Sequence, residues 1–545
     1  MGSIEIVLAM LLAVVASGYL VRLVPIPLPL PLVQIALGAV IAGVFKHGVT
    51  LQPEIFFRLF LPPLLFLDGW RIPKDGLLRD KAVILELALG LVVFTVLGVG
   101  LLIHWLIPAM PLAVAFALAA IVSPTDPVAV SSIAARAPIP KRLMHILEGE
   151  SLLNDATGLV CFRFAVAAAM TGGFSLLSAS LTFLWVALAG LAIGAGVTLA
   201  VSYAQRWLSR QFGEESGAPI LISLLIPFGA YLLAEHAHAS GILAAVAAGI
   251  TMGYVELSGR ALASIRVQRA AVWNTVQLAL NGIMFVLLGE QLPAILLNAV
   301  ASVEQSGHLN PWWLAAYALA INLGLAVLRF VWVWVSLRLN LFKAHQRGET
   351  PVKPHWRLLL ATSLAGVRGA ITLAGVLTLP LLLPDGRAFP ARDLAIFLAT
   401  AVILLSLVVA SIGLPQSLKG LQLPAEPAEQ REEDRARHAT AMAAIAAIEQ
   451  AQQALLQKTA AADADIYSHA ATRVLALYQR RLRDAADESE AQQLRKADHA
   501  ERVLRLAGLQ GEREAIFEMT RHYRISEEVS RKLVREIDLL EARYR

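Results

Sequence analysis

The chain has 545 residues, 57% of them hydrophobic and 16% charged, with 46 Lys and Arg against 41 Asp and Glu and a net charge of +5. Soluble domains carry roughly a quarter of their residues charged, so this composition excludes a soluble globular protein throughout. The single cysteine, Cys161, excludes an internal disulfide and a multi-cysteine metal site, and in its apolar setting it reads as a small packing residue.

Residues 4–415 divide into apolar runs of roughly 18–25 residues separated by short polar breaks, the pattern of membrane-spanning helices. In chain order the segments cover about 4–22, 29–45, 51–68, 82–105, 112–135, 143–169, 181–204, 218–235, 239–256, 270–289, 312–337, 357–383 and 393–414, roughly thirteen in all. The first does not read as a cleaved signal, because "MGSIE" brings no basic residue ahead of it. Basic residues collect in alternate loops (Arg71 and Lys74, Arg136 and Lys141, Arg206 and Arg210, Arg260 and Arg266, Arg338 and Lys343), while the intervening loops hold only Lys46, Arg387 and Arg392. Basic loops stay cytoplasmic, which predicts an outside N-terminus and a cytoplasmic C-terminus. No basic patch interleaved with aromatics lies outside the membrane region, so nucleic acid is not an expected partner.

Segment five carries "SPTDPVAV", with Pro124 and Pro127 flanking Thr125 and Asp126 near mid-membrane. Each proline lacks an amide donor and clashes with the carbonyl one turn back, so the helix should open there. An opened backbone is tolerated in a membrane only where protein or a water-filled cavity satisfies it. Segment twelve carries "LAGVRGAITLAG", in which Gly366, Gly369 and Gly375 loosen the helix around Arg368. The two segments run in opposite directions, and paired interrupted helices point to an inverted-repeat secondary transporter with its site near the midplane. Asp126 and Arg368 would offset the partial charges of the broken helix ends.

Segment six carries "EGESLLNDATGLV". At 100° per residue Glu150, Ser151, Asn154, Asp155 and Gly158 fall on one face, with an arc of roughly 140°. Gly158 is expected to leave space beside the carboxylate. An ionised side chain at a helix centre costs about 2.5–3.5 kcal/mol to insert, so this face implies pairing, protonation or hydration. A carboxylate in such a cavity can hold a proton or a dehydrated monovalent cation, and competition between the two couples their movements. Carboxylate, hydroxyl and amide oxygens are hard ligands that suit sodium, lithium or potassium. Glu150 calls for a buried basic partner, with Arg329 and Arg368 as the candidates. Glu148 reads as a helix-end acid. Arg163 is either a partner for the acidic face or a snorkelling side chain.

The remainder, 424–545 after a domain 1–423, is rich in Ala, Glu, Gln, Arg and Leu and reads as three or four cytoplasmic helices. "SEEVSRKLVREIDLLEARYR" predicts an amphipathic helix with Ser526 as its N-cap. No nucleotide-binding glycine loop or calcium loop is present in this region.

Residues 4–415 resemble the monovalent cation/proton antiporter superfamily, in its sodium/proton exchanger branch. The motifs that carry the resemblance are "SPTDPVAV", "EGESLLNDATGLV", "LLAEHAHASGILAAVAAG" and "GVRGAITLA", with a weaker "FLPPLLFLDG". The resemblance implies an all-α polytopic membrane protein with inverted repeats and two unwound crossing helices. It implies that Asp155 carries the ion and the proton and that Asn154 marks the electroneutral branch. Asn154, Ser151, Thr125 and Asp126 would belong to the ion site, and Glu150 would pair with Arg329. Asp68 follows the double proline, as an acid does in several relatives, and its share in the site stays open. Glu235, with His236 and His238 beside it, invites either a pH-sensing role or an ordinary outer loop.

With these features the resemblance implies a homodimeric bacterial inner-membrane antiporter that exchanges cytoplasmic sodium or lithium for external protons, electroneutrally and by alternating access, and needs no cofactor. A potassium/proton antiporter is the nearest alternative. A channel would want a filter-like carbonyl repeat. A membrane-embedded enzyme would want an HExxH or serine-elbow motif, and neither is present, although Asp126 and Asp155 could mimic an aspartyl pair.

Overall fold

The computed structural model describes residues 3–23, 28–45, 57–74, 76, 81–134, 141–172, 176–213, 217–257, 263–305, 312–346, 355–419, 427–458, 464–482, 488–522 and 524–544. Among them the regular structure is helical, apart from an isolated bridge between Leu382 and Ala388. Among the described residues eight helices are long and apolar enough to cross a membrane, and shorter apolar helices accompany them. The chain divides into two compact units, Met1–Leu421 and Gln422–Arg545.

In the first unit the helices are α1 (Ser3–Leu23), α2 (Leu30–Phe45), α3 (Leu61–Arg71), α4 (Lys81–Leu106), α5 (Leu112–Val122), α6 (Pro127–Ala134), α7 (Lys141–Thr171), α8 (Leu176–Phe212), α9 (Ala218–His236) and α10 (Gly241–Leu257). They continue with α11 (Ala263–Gln305), α12 (Trp312–Gln346), α13 (Trp356–Leu364), α14 (Ala370–Leu377) and α15 (Arg392–Leu418). Helix α4 contains a π stretch, Glu86–Leu91.

Two groups of helices emerge from the packing. In one, α3 lies along α10, which also packs on α8 and α9, while α2 lies along α11 with α1 beside both. In the other, α5 packs between α4 and α7, and α12, α13 and α15 pack on one another. The groups meet chiefly where α11 touches α15. Without a hydrophobic drive between helices in lipid, close approach depends on small residues. A Cβ at Gly69 would lie 2.5 Å from the Val246 carbonyl oxygen, and one at Gly249 would lie 2.0 Å from that of Phe66, so α3 and α10 touch backbone to backbone.

Segment five is interrupted as its prolines require, between Val122 and Pro127. Segment twelve is also interrupted, between Leu364 and Ala370, but its helical part stops at Leu377 rather than running to 383. Pro380 explains the early stop, since the residues before a proline are pushed out of helical geometry. Gly375 lies inside α14 and not in the break. A Cβ there would sit 2.0 Å from Ile121 Cδ1, so this glycine serves close packing. The loop that follows folds back through the Leu382–Ala388 bridge, with Gly386 at φ +80°. There the Arg387 side chain, bonded to Asp385 at 2.6 Å, holds that carboxyl below the usual carboxylate range.

The second unit holds α16 (Pro427–Lys458), α17 (Ala464–Leu482), α18 (Glu488–Arg521) and α19 (Glu527–Tyr544). Helix α16 packs on α17 and α18 on α19. Leu509, Ile516 and Ile537 form a small core between the last two, and Arg513 bonds Asp538 at 2.8 Å and also Glu541. Ser526 caps α19 by accepting from the Val529 amide at 3.3 Å. The boundary expected at 423/424 lies outside the described residues.

Candidate functional site

The two broken stretches cross each other. The Asp126 amide donates to the Val367 carbonyl at 2.7 Å, backbone to backbone. The Arg368 Nε donates to the Val122 carbonyl at the end of α5 at 2.8 Å, and its Nη1 donates to the Gly366 carbonyl. Its own amide donates to Ser406 Oγ at 3.1 Å. Carbonyls freed by the breaks are thus satisfied by a buried guanidinium, as a membrane interior demands. Gly369 has ordinary φ (−111°), and its role is spatial: a Cβ there would lie 2.1 Å from Asp126 Oδ2.

On α7, Glu150, Ser151, Asn154 and Asp155 are all buried. Glu150 accepts from Arg329 Nη1 at 2.5 Å and from Nη2 at 2.7 Å, a two-pronged pair on α12 with both partners buried. Arg329 also donates through Nε to the Thr362 carbonyl at 3.0 Å, near the end of α13. Thr125 Oγ1 donates to Glu150 at 3.3 Å and accepts from Asn154 Nδ2 at 3.0 Å. A polar chain therefore ties the first break, α7, α12 and the second break together. Of the two arginine candidates for Glu150, the geometry selects Arg329.

Sequence position groups Asn154 with Asp155, but the tertiary arrangement separates them. Asn154 joins the Thr125–Glu150 chain and does not line the cavity that Asp155 faces. Its Oδ1 is buried with no partner among the described residues. Gly158 also differs from expectation. A Cβ there would meet Pro124 Cγ at 2.4 Å and the Ala120 carbonyl oxygen at 2.9 Å, so the space is filled by the end of α5.

Asp155 and Ser151 line a cavity of about 40 Å³, together with Asp68, Thr125, Asp126, Asn281 and Thr372. That volume exceeds the roughly 10–15 Å³ a cavity needs to admit one water, so it has room for a water or a dehydrated cation. Its walls come from both helix groups, with α3 and α11 on one side and the two breaks and α7 on the other. Asp68, whose share was open in the sequence, faces the cavity alongside Asp126 and Asp155. Asn281 and Thr372 were missed. The available signal for Asn281 was a carboxamide in the middle of the apolar run "LALNGIMF".

Asp68 and Pro127 also line a second cavity of about 270 Å³, with Arg71, His145, Glu148 and Gln277 around it. The small site therefore adjoins a polar vestibule at the end of α3, where the basic loop begins. Glu148 is part of the vestibule wall, beyond the helix-end role expected of it. A third cavity of about 620 Å³ shares no wall residue with the small site. It is lined by Arg58, Arg163, Tyr231, Glu235 and His238 among others, and Arg163 stands 3.7 Å from Glu235 across it. His238 faces this cavity, while the His236 ring contacts the Leu232 carbonyl at 2.7 Å.

The transmembrane profile described as "Sodium/hydrogen exchanger" matches residues 8–420, the whole span that holds these breaks and this cavity. The chain belongs to the sodium/hydrogen exchanger family. Among similar exchangers, Escherichia coli YjcE, called an uncharacterised Na+/H+ exchanger, is 42% identical over 543 residues, 98% of each chain. A protein of Bacillus pumilus named a sodium, potassium, lithium and rubidium/H+ antiporter is 44% identical over 421 residues, 75% of this chain and 61% of that longer one. The sodium proton antiporter MjNhaP1 of Methanocaldococcus jannaschii, solved at pH 8, superposes with TM-score 0.55 at 17% identity, covering 77% of this chain and 98% of the other. That likeness establishes the fold. The family is one of transporters, so the aspartyl-enzyme reading of Asp126 and Asp155 falls away.

Proposed function

We propose that the protein is a secondary antiporter of the bacterial inner membrane that exchanges cytoplasmic sodium or lithium for external protons, with cation and proton competing at Asp155. The observation that carries this reading is the 40 Å³ cavity in which Asp155 and Ser151 face Asp68 and Asp126 between the crossing breaks. The Asp155 carboxyl group makes no hydrogen bond to a described residue, so its lone pairs are available to an occupant. The cation is cargo, and its ligands are hard oxygens from Asp155, Ser151 and the flanking acids.

With the basic loops cytoplasmic, the vestibule at Arg71 and His145 is the inner mouth and this conformation is open inward. Movement of the α4–α7 and α12–α15 group against the α1–α3 and α8–α11 group would then expose Asp155 outward. A homodimer would hold the α1–α3 and α8–α11 group still. Glu150 is bound by Arg329, and an exchange that trades one proton for one cation at Asp155 alone would be electroneutral. Asn154 acts on the site indirectly, by holding Thr125. The region 424–545 is proposed as a cytoplasmic helical appendage.

Sodium is the leading cargo, and the name of the Bacillus pumilus relative supports a wider range that includes potassium. Everted vesicles carrying a pH-gradient dye test both. Sodium should dissipate the gradient in the wild type and not in Asp155→Asn, and parallel additions of potassium and lithium rank the cations. Sodium-dependent dissipation that survives in Asp155→Asn refutes the site.

A further inference from the structure

Helix α11 spans Ile265–Asn298 as an apolar membrane segment, and Asn281 stands at its middle. A carboxamide there carries donors and acceptors that hydrocarbon cannot satisfy. Asn281 nevertheless has no hydrogen-bond partner among the described residues, and it faces the cavity that contains Asp155, Ser151, Asp68 and Asp126. Its neighbour Gly282 sits against α1, where a Cβ would lie 2.5 Å from Val14 Cγ1, and Gly289 sits 1.9 Å by the same measure from the Ile35 carbonyl oxygen of α2. Asn281 is therefore presented by a helix clamped within the first group, whereas Asp155 and Ser151 belong to the second.

On the reading of the cation site given above, we propose that the Asn281 side-chain oxygen is a ligand of the transported cation, reaching it from the opposite helix group directly or through one water. Proton and cation differ in what they ask of this residue. A proton on Asp155 is satisfied by the carboxylate alone. A dehydrated cation needs several oxygens around it at once, and the side chains lining the cavity of about 40 Å³, Asn281 among them, are the ones placed to supply them. Asn281 thus sets cation affinity and selection while leaving the protonation step untouched. It also makes the bound cation a bridge between the two groups in the inward-open state, which a bound proton is not.

The test uses full-length purified protein in two assays: cation-dependent thermal protection in detergent at alkaline pH, and cation/proton exchange in liposomes with a pH dye. Wild type, Asp155→Asn, Asn281→Leu and Asn281→Ala are compared with sodium, lithium and potassium chlorides. Leucine matches the size of asparagine without its polar atoms, and alanine cannot overfill the cavity. A lost ligand to a charge predicts that both Asn281 variants need about tenfold more sodium for half-maximal protection and for half-maximal exchange. Their maximal rates should stay within about twofold of wild type and their sodium-to-potassium ratio should change. Half-maximal concentrations equal to wild type in both assays overturn the assignment. So does a fall in maximal rate with no change in cation requirement, the mark of a merely structural residue. If the wild type itself shows neither protection nor exchange, or Asp155→Asn shows both, it is the cation site that is overturned, and the role of Asn281 with it.

Discussion

Removing Glu150 tests whether the polar chain on α7 supports the site or forms part of it. Glu150 is 1% exposed and Arg329 is 3% exposed. Replacing Glu150 by Leu leaves the guanidinium in a membrane interior with the Thr362 carbonyl as its remaining hydrogen-bond acceptor. Breaking one side of a buried ion pair costs about 3–5 kcal/mol, because the surviving charge is uncompensated. The Thr125 hydroxyl also loses its acceptor, at about 1 kcal/mol. Arg329 packs against the second break as well, where a Cβ on Gly366 would lie 2.9 Å from its Cδ, so a displaced guanidinium would disturb both crossing stretches. The double variant Glu150→Leu/Arg329→Met removes both charges, and such apolar replacements are often neutral or stabilising. Thermal unfolding of detergent-purified protein, followed by tryptophan fluorescence, should therefore rank the variants. Each single variant melts well below wild type, and the double variant lies above both. Reasoning from an uncompensated buried charge is refuted if the double variant melts as low as the two single effects added together, or if Glu150→Leu melts with the wild type.

Gly369→Ala should abolish exchange while leaving the protein assembled. The new methyl would displace Asp126 at a cost of about 1–3 kcal/mol, whereas Gly229→Ala, with nothing within 4 Å of its Cβ position, should leave vesicle transport unchanged. The Arg163–Glu235 contact lies 3.7 Å apart with side chains 66% and 35% exposed, so Arg163→Gln should change stability by less than about 1 kcal/mol, read as an unmoved melting curve.

Much of the site was legible because the membrane makes polarity conspicuous. Pro124 and Pro127 announce their break because two prolines three residues apart each remove an amide donor and crowd the preceding turn, whereas the single prolines Pro227, Pro293 and Pro415 each stay inside a helix. Glu150, Ser151, Asn154 and Asp155 share a face because helical geometry leaves them no alternative. What failed to show were relations across helices. Asn154 and Asp155 are adjacent in the chain, yet one holds Thr125 and the other lines the cavity, since a 100° step turns neighbours to different partners. Gly158 and Gly375 looked like free space and a helix break, but each is a contact point against segment five. Gly18 and Gly196, which have open space around them, carry no local mark that distinguishes them from these.

The sequence by itself determined the apolar spans, the two interruptions and the set of intramembrane charges, because each follows from local chemistry against a hydrocarbon background. Local chemistry left both Arg329 and Arg368 open to Glu150 and the resemblance favoured Arg329; that pairing was then decided by tertiary structure, which spends Arg368 on the carbonyls of Val122 and Gly366. So was the presence of Asp68 and Asn281 at the cavity, from helices more than two hundred residues apart in the chain. Such a site exists only where two helix groups meet, and which side chains line their junction depends on crossing angles and glycine contacts that no single segment encodes.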